Sequence, residues 1–362
     1  MKPMTAGLVA RAVAAGALHF EADIAPLLNA HDLHGVRIKH LLNHTHGLDG
    51  SRLVQVPTQR SDGTIDVGQL LAAIRSSRRL APPGRMFNYG NLGAWLAAAV
   101  LERSSGKTYR ELLREDLRAI TTALPDELCP ATGGALQLNA RQMLLWVRRH
   151  SDCAECDDAT VFAAYGALRS EQYELQGWHP RLERVCLGWN VLADGWFGQV
   201  ARMSGTSMLV RFNPRTRAAL VVTAKGEGTA TAIASSLFAE AFSDFRATRE
   251  PMLMTREEWA AIDPTRFTGT YANASVTAVF DVAANGSLRV RAYRSSDSLD
   301  VATEKPLVKR HLRAARNGLF ISQPAEPLVV PYAHFLDWDE RSRHRYVQVG
   351  RQLLTSTDYE PS

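Results

Sequence analysis

The 362-residue sequence predicts an α/β (α+β) protein in which helices packed on an antiparallel sheet are followed by an all-β tail. The length exceeds what one hydrophobic core usually serves. Apolar residues recur at helical spacing through most of the first 250 residues, interrupted by a few strand-like runs. From Phe267 onward, short β-prone runs alternate with turn residues, which suggests a small antiparallel barrel or sandwich.

The elements come in order. Thr5 to Leu18 is rich in alanine and leucine, with Leu8 and Ala12 on one face and Gly16 placed to end the helix in a left-handed conformation. Further helices are expected over Ile38 to Asn43, Val67 to Ser76, Leu92 to Ser104, Tyr109 to Asp116, Ala140 to Arg149 and Thr229 to Phe245. Strands are expected over Val185 to Leu192 and within Gln199 to Val222. Residues 1–250 then form one domain. Residues 251–263 read as a linker with a short helix, Thr255 to Ile262, ending at the turn-favouring pair Asp263-Pro264. Residues 264–362 form the β domain, in which Val276 to Asp281 and Ser287 to Ala292 flank Ala284-Asn285-Gly286, a hairpin signal.

The apolar fraction of 46% with 22% charged residues is that of a globular chain that offsets its folding entropy. The net charge of +5 comes from scattered arginines, such as Arg75, Arg78 and Arg79, or Arg341, Arg343 and Arg345. They lack the clustering of a nucleic-acid footprint, so no nucleic-acid partner is expected. Cys153 and Cys156 have no second Cys-x-x-Cys or paired histidines to complete a metal shell; with Cys129 and Cys186 they are read outside any metal site, and no cofactor is expected. No apolar run reaches bilayer-spanning length. The alanine-rich N-terminus imitates a signal peptide until Arg11 breaks it. Compartment stays open.

Four ordered stretches carry a resemblance. Lys2-Pro3-Met4-Thr5-Ala6-Gly7-Leu8, with Val13, Gly16 and Leu18, is similar to the nucleophile helix of class C β-lactamase-like and penicillin-binding-protein-like serine hydrolases, a family that includes D-aminopeptidases and esterases. The segment from Ile38 to Leu48, containing Leu41-Leu42-Asn43-His44-Thr45-His46-Gly47-Leu48, resembles the family's Leu-Leu-x-His-Thr-Ser-Gly-Leu stretch. Pro83-Gly84 leading to Tyr89-Gly90-Asn91 resembles its second catalytic motif, with Ser105-Gly106-Lys107-Thr108-Tyr109 after it, and Thr132-Gly133-Gly134 agrees in order. The tail that begins at Phe267-Thr268-Gly269-Thr270-Tyr271 and runs to the C-terminus resembles the lipocalin-like barrel appended to D-aminopeptidase-like relatives. The resemblance implies a β-lactamase/transpeptidase-like antiparallel sheet.

It also implies roles. Residues three apart on a helix share a face, so the lysine of Ser-x-x-Lys sets its amine beside the serine hydroxyl. Lys2 takes that place, and its serine falls two residues ahead of Met1, which makes the chain read as N-terminally truncated, without the serine and the strands before it. Tyr89 supplies a second basic group, a phenol kept partly ionised by a neighbouring ammonium. Asn91 would hydrogen-bond a substrate amide or Lys2. His44 and His46 are read as structural residues ending a helix. The third motif is placed at Met203-Ser204-Gly205-Thr206, as substrate-binding residues on an edge strand, where Met203 replaces a usual cationic or polar residue; an ordinary edge strand is the alternative.

The resemblance therefore implies a serine hydrolase or acyltransferase that acts on a small-molecule or peptide substrate, an ester, amide or peptide, through an acyl-enzyme. The alternative is a catalytically inactive truncated relative that serves as a binding protein. An exposed sheet edge would favour an oligomer or a covering partner.

Overall fold

The computed structural model describes residues 1–51, 59–60, 62–122, 124, 136–150, 159–177, 182–203, 205–226, 228–240, 251–296, 298–323, 332–338 and 344–358. Thr132-Gly133-Gly134, Cys129, Cys153, Cys156, Ser204, Arg341 and Arg343 lie outside these residues.

The chain opens on α1 (Lys2–Ala14), then α2 (Ile24–Leu28), α3 (Ile38–Leu42), α4 (Val67–Arg75), α5 (Leu92–Ser105), α6 (Tyr109–Leu117), α7 (Ala140–Val147) and α8 (Ala159–Ser170). Their starts are written in the sequence. Asp23 and Asp66 accept from the backbone N–H groups of Ala25 and Gln69, and Thr108 with Glu111 and Asn139 with Gln142 form reciprocal capping boxes. Helix α1 begins three residues earlier than its alanine content suggests, because Pro3 in its first turn is already set to a helical φ. It ends at Ala14, with Gly16 left-handed beyond it. Helix α5 is buried over Leu92 to Leu101 and forms the centre of the core with α1 and α3.

Six strands come next in meander order: β1 (Gln172–Glu174), β2 (Arg184–Cys186), β3 (Asn190–Val191), β4 (Phe197–Met203), β5 (Thr206–Asn213) and β6 (Ala218–Lys225). All neighbours are antiparallel. The single strand expected over Val185 to Leu192 is two, divided by a turn at Gly188. That glycine has φ +90° and passes so close to α1 that an added Cβ would lie 2.6 Å from the Ala6 Cβ. Helix α9 (Thr229–Phe238) packs on β5 and β6.

After α10 (Arg256–Ala260), the strands β7 (Gly269–Ala272), β8 (Val276–Val282), β9 (Leu288–Arg294), β10 (Val308–Ala314), β11 (Leu319–Gln323), β12 (Tyr332–Trp338), β13 (His344–Val349) and β14 (Gln352–Ser356) close into an antiparallel barrel. The Asn285-Gly286 signal lies in the β8–β9 turn, where Gly286 has φ +78°. Phe267, Tyr271, Phe280, Phe320 and Phe335 fill the barrel core with edge-to-face ring contacts.

The barrel is strapped to the loop before α5. The Tyr89 N–H donates to the Arg351 carbonyl (3.1 Å), the Leu353 N–H to Asn88 Oδ1 (3.1 Å) and Thr355 Oγ1 to the Leu80 carbonyl (3.0 Å). Leu80, Ala81 and Met86 pack with Tyr346 and Leu353 in a small apolar cluster between the two units. Among the described residues no helix is long and apolar enough to cross a membrane, and no His, Cys, Asp and Glu group could hold a metal ion.

Candidate active site

Lys2 stands in the first turn of α1, and its Nζ donates to the Tyr89 hydroxyl (3.1 Å) and to Asn91 Oδ1 (3.0 Å). Three residues separated by up to 89 positions thus share one amine. Asn91 is the N-cap residue of α5, a place where an asparagine side chain ordinarily accepts from the helix backbone. Here it makes no such bond, and its oxygen goes to Lys2 instead. A cap forgone in favour of a half-buried lysine is the kind of local inconsistency that marks functional sites.

Tyr89 lies between two cations. Lys2 Nζ is 4.6 Å from the ring centroid and the Arg351 guanidinium carbon is 4.1 Å from it. Burial by itself raises the phenol; the charges of Lys2 and Arg351 and the Lys2 hydrogen bond outweigh it, so the pKa falls below the ordinary tyrosine value. His44 packs its ring 4.7 Å from that of Tyr89. Burial, then the charge of Lys2, holds His44 well below the usual imidazole range, so it stays neutral. Its φ of +62° turns the chain left-handed after α3, and nearby Gly47 (φ +71°) sits where a Cβ would meet the Ala81 carbonyl. His46 donates nothing to the cluster; its Nδ1 accepts from the Leu48 N–H.

The Lys2 and Tyr89 side chains open on a cavity of about 200 Å³, whose walls include Met4, Trp146, Trp189, Gln199, Val200 and Ala201. Strand β3 pairs with β4 only at Phe197 and Gly198, so from Gln199 onward β4 has β5 alone as a neighbour among the described residues. Met203 and Thr206 close the β4–β5 hairpin across two residues and exchange hydrogen bonds. The alternation then turns the backbone groups of Val200 and Arg202 to the open side of β4.

Sequence reasoning brought Lys2, Tyr89 and Asn91 together, and the structure places them in contact. It placed the third motif at Met203 to Thr206. In the structure Met203 and Thr206 are the closing pair of a hairpin, Gly205 is its left-handed turn residue (φ +74°) and Ser204 lies outside the described residues. Thr206 lines a neighbouring cavity that shares Met1, Met4 and Ala201 with the first. The stretch of β4 on the Lys2 cavity is Gln199 to Arg202, one residue short of the expected motif. Arg351 was also missed, because nothing near it in sequence points toward Tyr89.

Comparison with known proteins bears on the family and the fold. The family model described as Beta-lactamase matches residues 1–239. The structure of SurE with D-Leu aligns with a TM-score of 0.74 at 22% identity, covering 98% of this chain and 85% of that one, and SurE in a second structure aligns with a TM-score of 0.74 at 21% identity over the same shares. A penicillin binding protein from Bacillus halodurans aligns with a TM-score of 0.52 at 19% identity, covering 66% of this chain and 83% of that one. These likenesses show the fold: helices with an antiparallel sheet, and in SurE nearly the whole chain. No curated protein matches the chain.

Proposed function

The chain belongs to the beta-lactamase family, and we propose that it works as a serine hydrolase or acyltransferase on an ester, amide or peptide through an acyl-enzyme. The observation that carries this reading is the Lys2 amine held between the Tyr89 hydroxyl and Asn91. A serine three residues before Lys2 would present its hydroxyl on the same helical face. Tyr89, made more acidic by its two cations, takes the hydroxyl proton as the oxygen attacks the acyl carbon, and Lys2 balances the charge. The proton then passes to the leaving group. Water or a second nucleophile, activated by the same pair, releases the acyl group.

The open side of β4 supports the remaining requirement. Backbone N–H groups of Val200 and Arg202 face the cavity edge, where a donor beside the serine's own N–H stabilises the oxyanion without help from side chains. A third-motif cation is not needed for that step. Its replacement by neutral residues bears on which substrate is held.

Met1 is the residue before Lys2 in the 362-residue sequence. The test compares this chain with a version extended to carry serine two residues ahead of Met1, both incubated with an activated ester and a fluorescent penicillin and read by intact mass. A covalent adduct is expected on the extended version and not on the 362-residue chain, and Lys2→Met in the extended version should slow its formation by several powers of ten. A stoichiometric adduct on the 362-residue chain, unchanged by Lys2→Met, would overturn the reading and move the nucleophile elsewhere. An extended version that binds ligand but never acylates would favour a binding protein.

A further inference from the structure

We propose that Arg351, delivered by the β13–β14 connection of the barrel, is a positioning residue for Tyr89 that fixes the phenol ring and stabilises its phenolate form. The barrel then completes the site of the helix–sheet unit. This deepens the reading of Tyr89 as the general base and rests on it for its catalytic meaning.

The geometry points there from two sides. The Arg351 carbonyl accepts the Tyr89 N–H, so the backbones of the two residues are tied together, and the guanidinium carbon lies 4.1 Å from the centre of the tyrosine ring. A flat, delocalised cation on an aromatic face is a favourable contact that holds ring orientation, and lysine cannot reproduce its planarity. Arg351 Nη2 also reaches Asn190 Oδ1 on β3 at 3.5 Å, which steadies the guanidinium from the sheet. The straps at Asn88–Leu353 and Leu80–Thr355 hold the strand in register with the loop, so the cation arrives at a fixed height over the ring.

Among the described residues, the charged and titratable groups that face Tyr89 are Lys2 from α1, His44 from the segment after α3 and Arg351 from the barrel, with Tyr173 of β1 in the same apolar cluster. His44 is neutral for the reason of burial given above, and Tyr173 is pushed by burial up to about 12, so neither supplies charge near neutrality. The positive charge that faces the phenolate comes from Lys2 and Arg351. Lys2 has a further duty as hydrogen-bond donor to Asn91, whereas Arg351 meets Tyr89 through the ring face. Losing Arg351 therefore removes a cation facing the phenolate without removing the Lys2 bond.

The experiment is an ultraviolet titration of the phenolate on the 362-residue chain. Tyr89 is isolated by subtracting the same titration of Tyr89→Phe made in each background. Arg351→Met is expected to raise the Tyr89 midpoint by roughly one pH unit or more, a tenfold loss of phenolate at fixed pH, and Arg351→Lys to raise it by less. Asn88→Ala, which releases the Leu353 strap but keeps the guanidinium, should move the midpoint in the same direction. A folded Arg351→Met chain with an unchanged midpoint would falsify the proposal. Should that variant fail to fold, unchanged midpoints in both Arg351→Lys and Asn88→Ala would overturn it equally. No acyl transfer is read, so a chain that never acylates leaves this outcome untouched.

Discussion

The helix–sheet unit and the barrel bury polar groups in different places. In the first unit, His40, Asn43, His44, Thr45 and His46 are buried in one short segment that passes Tyr89, while the buried Asp49 and Asn88 accept from the barrel backbone. The nitrogens His44 Nδ1 and His46 Nε2 have no hydrogen-bond partner there. In the barrel, rings fill the centre, and the buried Asn273, Gln348 and Thr355 lie where it meets the other unit. Burying polar atoms costs stability unless they are bonded. The helix–sheet unit gathers such groups in the segment that passes Tyr89; the barrel centre is mostly rings, with the buried His344 stacked on Phe267, and polar groups of the barrel also line the seam. On the proposed reading, the first unit holds the reacting groups and the barrel supports them from one face.

If that contrast holds, the largest effect comes from the centre of the barrel. Phe335 is 2% exposed and touches the rings of Phe267, Tyr271, Phe280 and Phe320. Phe335→Ala should cost about 3–5 kcal/mol, seen as a lower denaturation midpoint. The Tyr89 titration of the molecules that remain folded should stay in place, and a large shift would show that the barrel centre is not merely rigid support.

The next effect is the acid response of the histidine segment. Burial, the main cause, lowers both His40 and His46 to about 4. A depressed imidazole contributes stability that is complete above its unfolded pKa of about 6.5 and is lost as pH falls toward the folded value, since the unfolded chain takes up the proton first. Stability should therefore decline between pH 6.5 and about 4, by about 3 kcal/mol for each of the two histidines at the lower end. His46→Asn, whose amide oxygen can replace Nδ1 as acceptor for Leu48, should flatten that decline in denaturant titrations taken at successive pH values. An unaltered slope would remove His46 from the account.

The smallest effect belongs to the outer seam. Arg85 pairs with Asp337 at 2.7 Å, but their side chains are 45% and 24% exposed. Solvent screening leaves such a pair worth at most about 1 kcal/mol. Arg85→Ala should shift the melting temperature only slightly and leave the bond from the Tyr173 hydroxyl to the Arg85 carbonyl intact. A loss as large as that of Phe335→Ala would mean that charge, rather than the straps, joins the units.

What could be read from sequence had local causes. The capping residues Thr108, Asn139 and Thr255 start helices by short-range bonds, and Asn285-Gly286 turns a hairpin by its own dihedral preference. The Lys2–Tyr89–Asn91 cluster was legible because two motifs stand in a fixed order. Helix α8 was not, because it packs on α1 and carries small residues such as Ala164 and Gly166 with little periodic contrast. The cavity stretch Gln199 to Arg202 was missed because what singles it out is the departure of β3 after Gly198, which no local pattern encodes. Arg351 belongs to neither class. Its role depends on how a barrel docks against a loop 265 residues away, as measured by the Asn88–Leu353 strap, and no local pattern encodes that.

The straps from Leu80, Asn88 and Tyr89 meet β14 and the residue just before it at Thr355, Leu353 and Arg351, alternate positions along the chain. This is a zipper with a two-residue tooth spacing. Sliding the barrel by one residue would turn Arg351 away from Tyr89 and bring Gln352 or Gly350 to its place. A chimera made by exchanging barrels between relatives must therefore preserve this phase, while loops at the far end of the barrel are at liberty to vary in length.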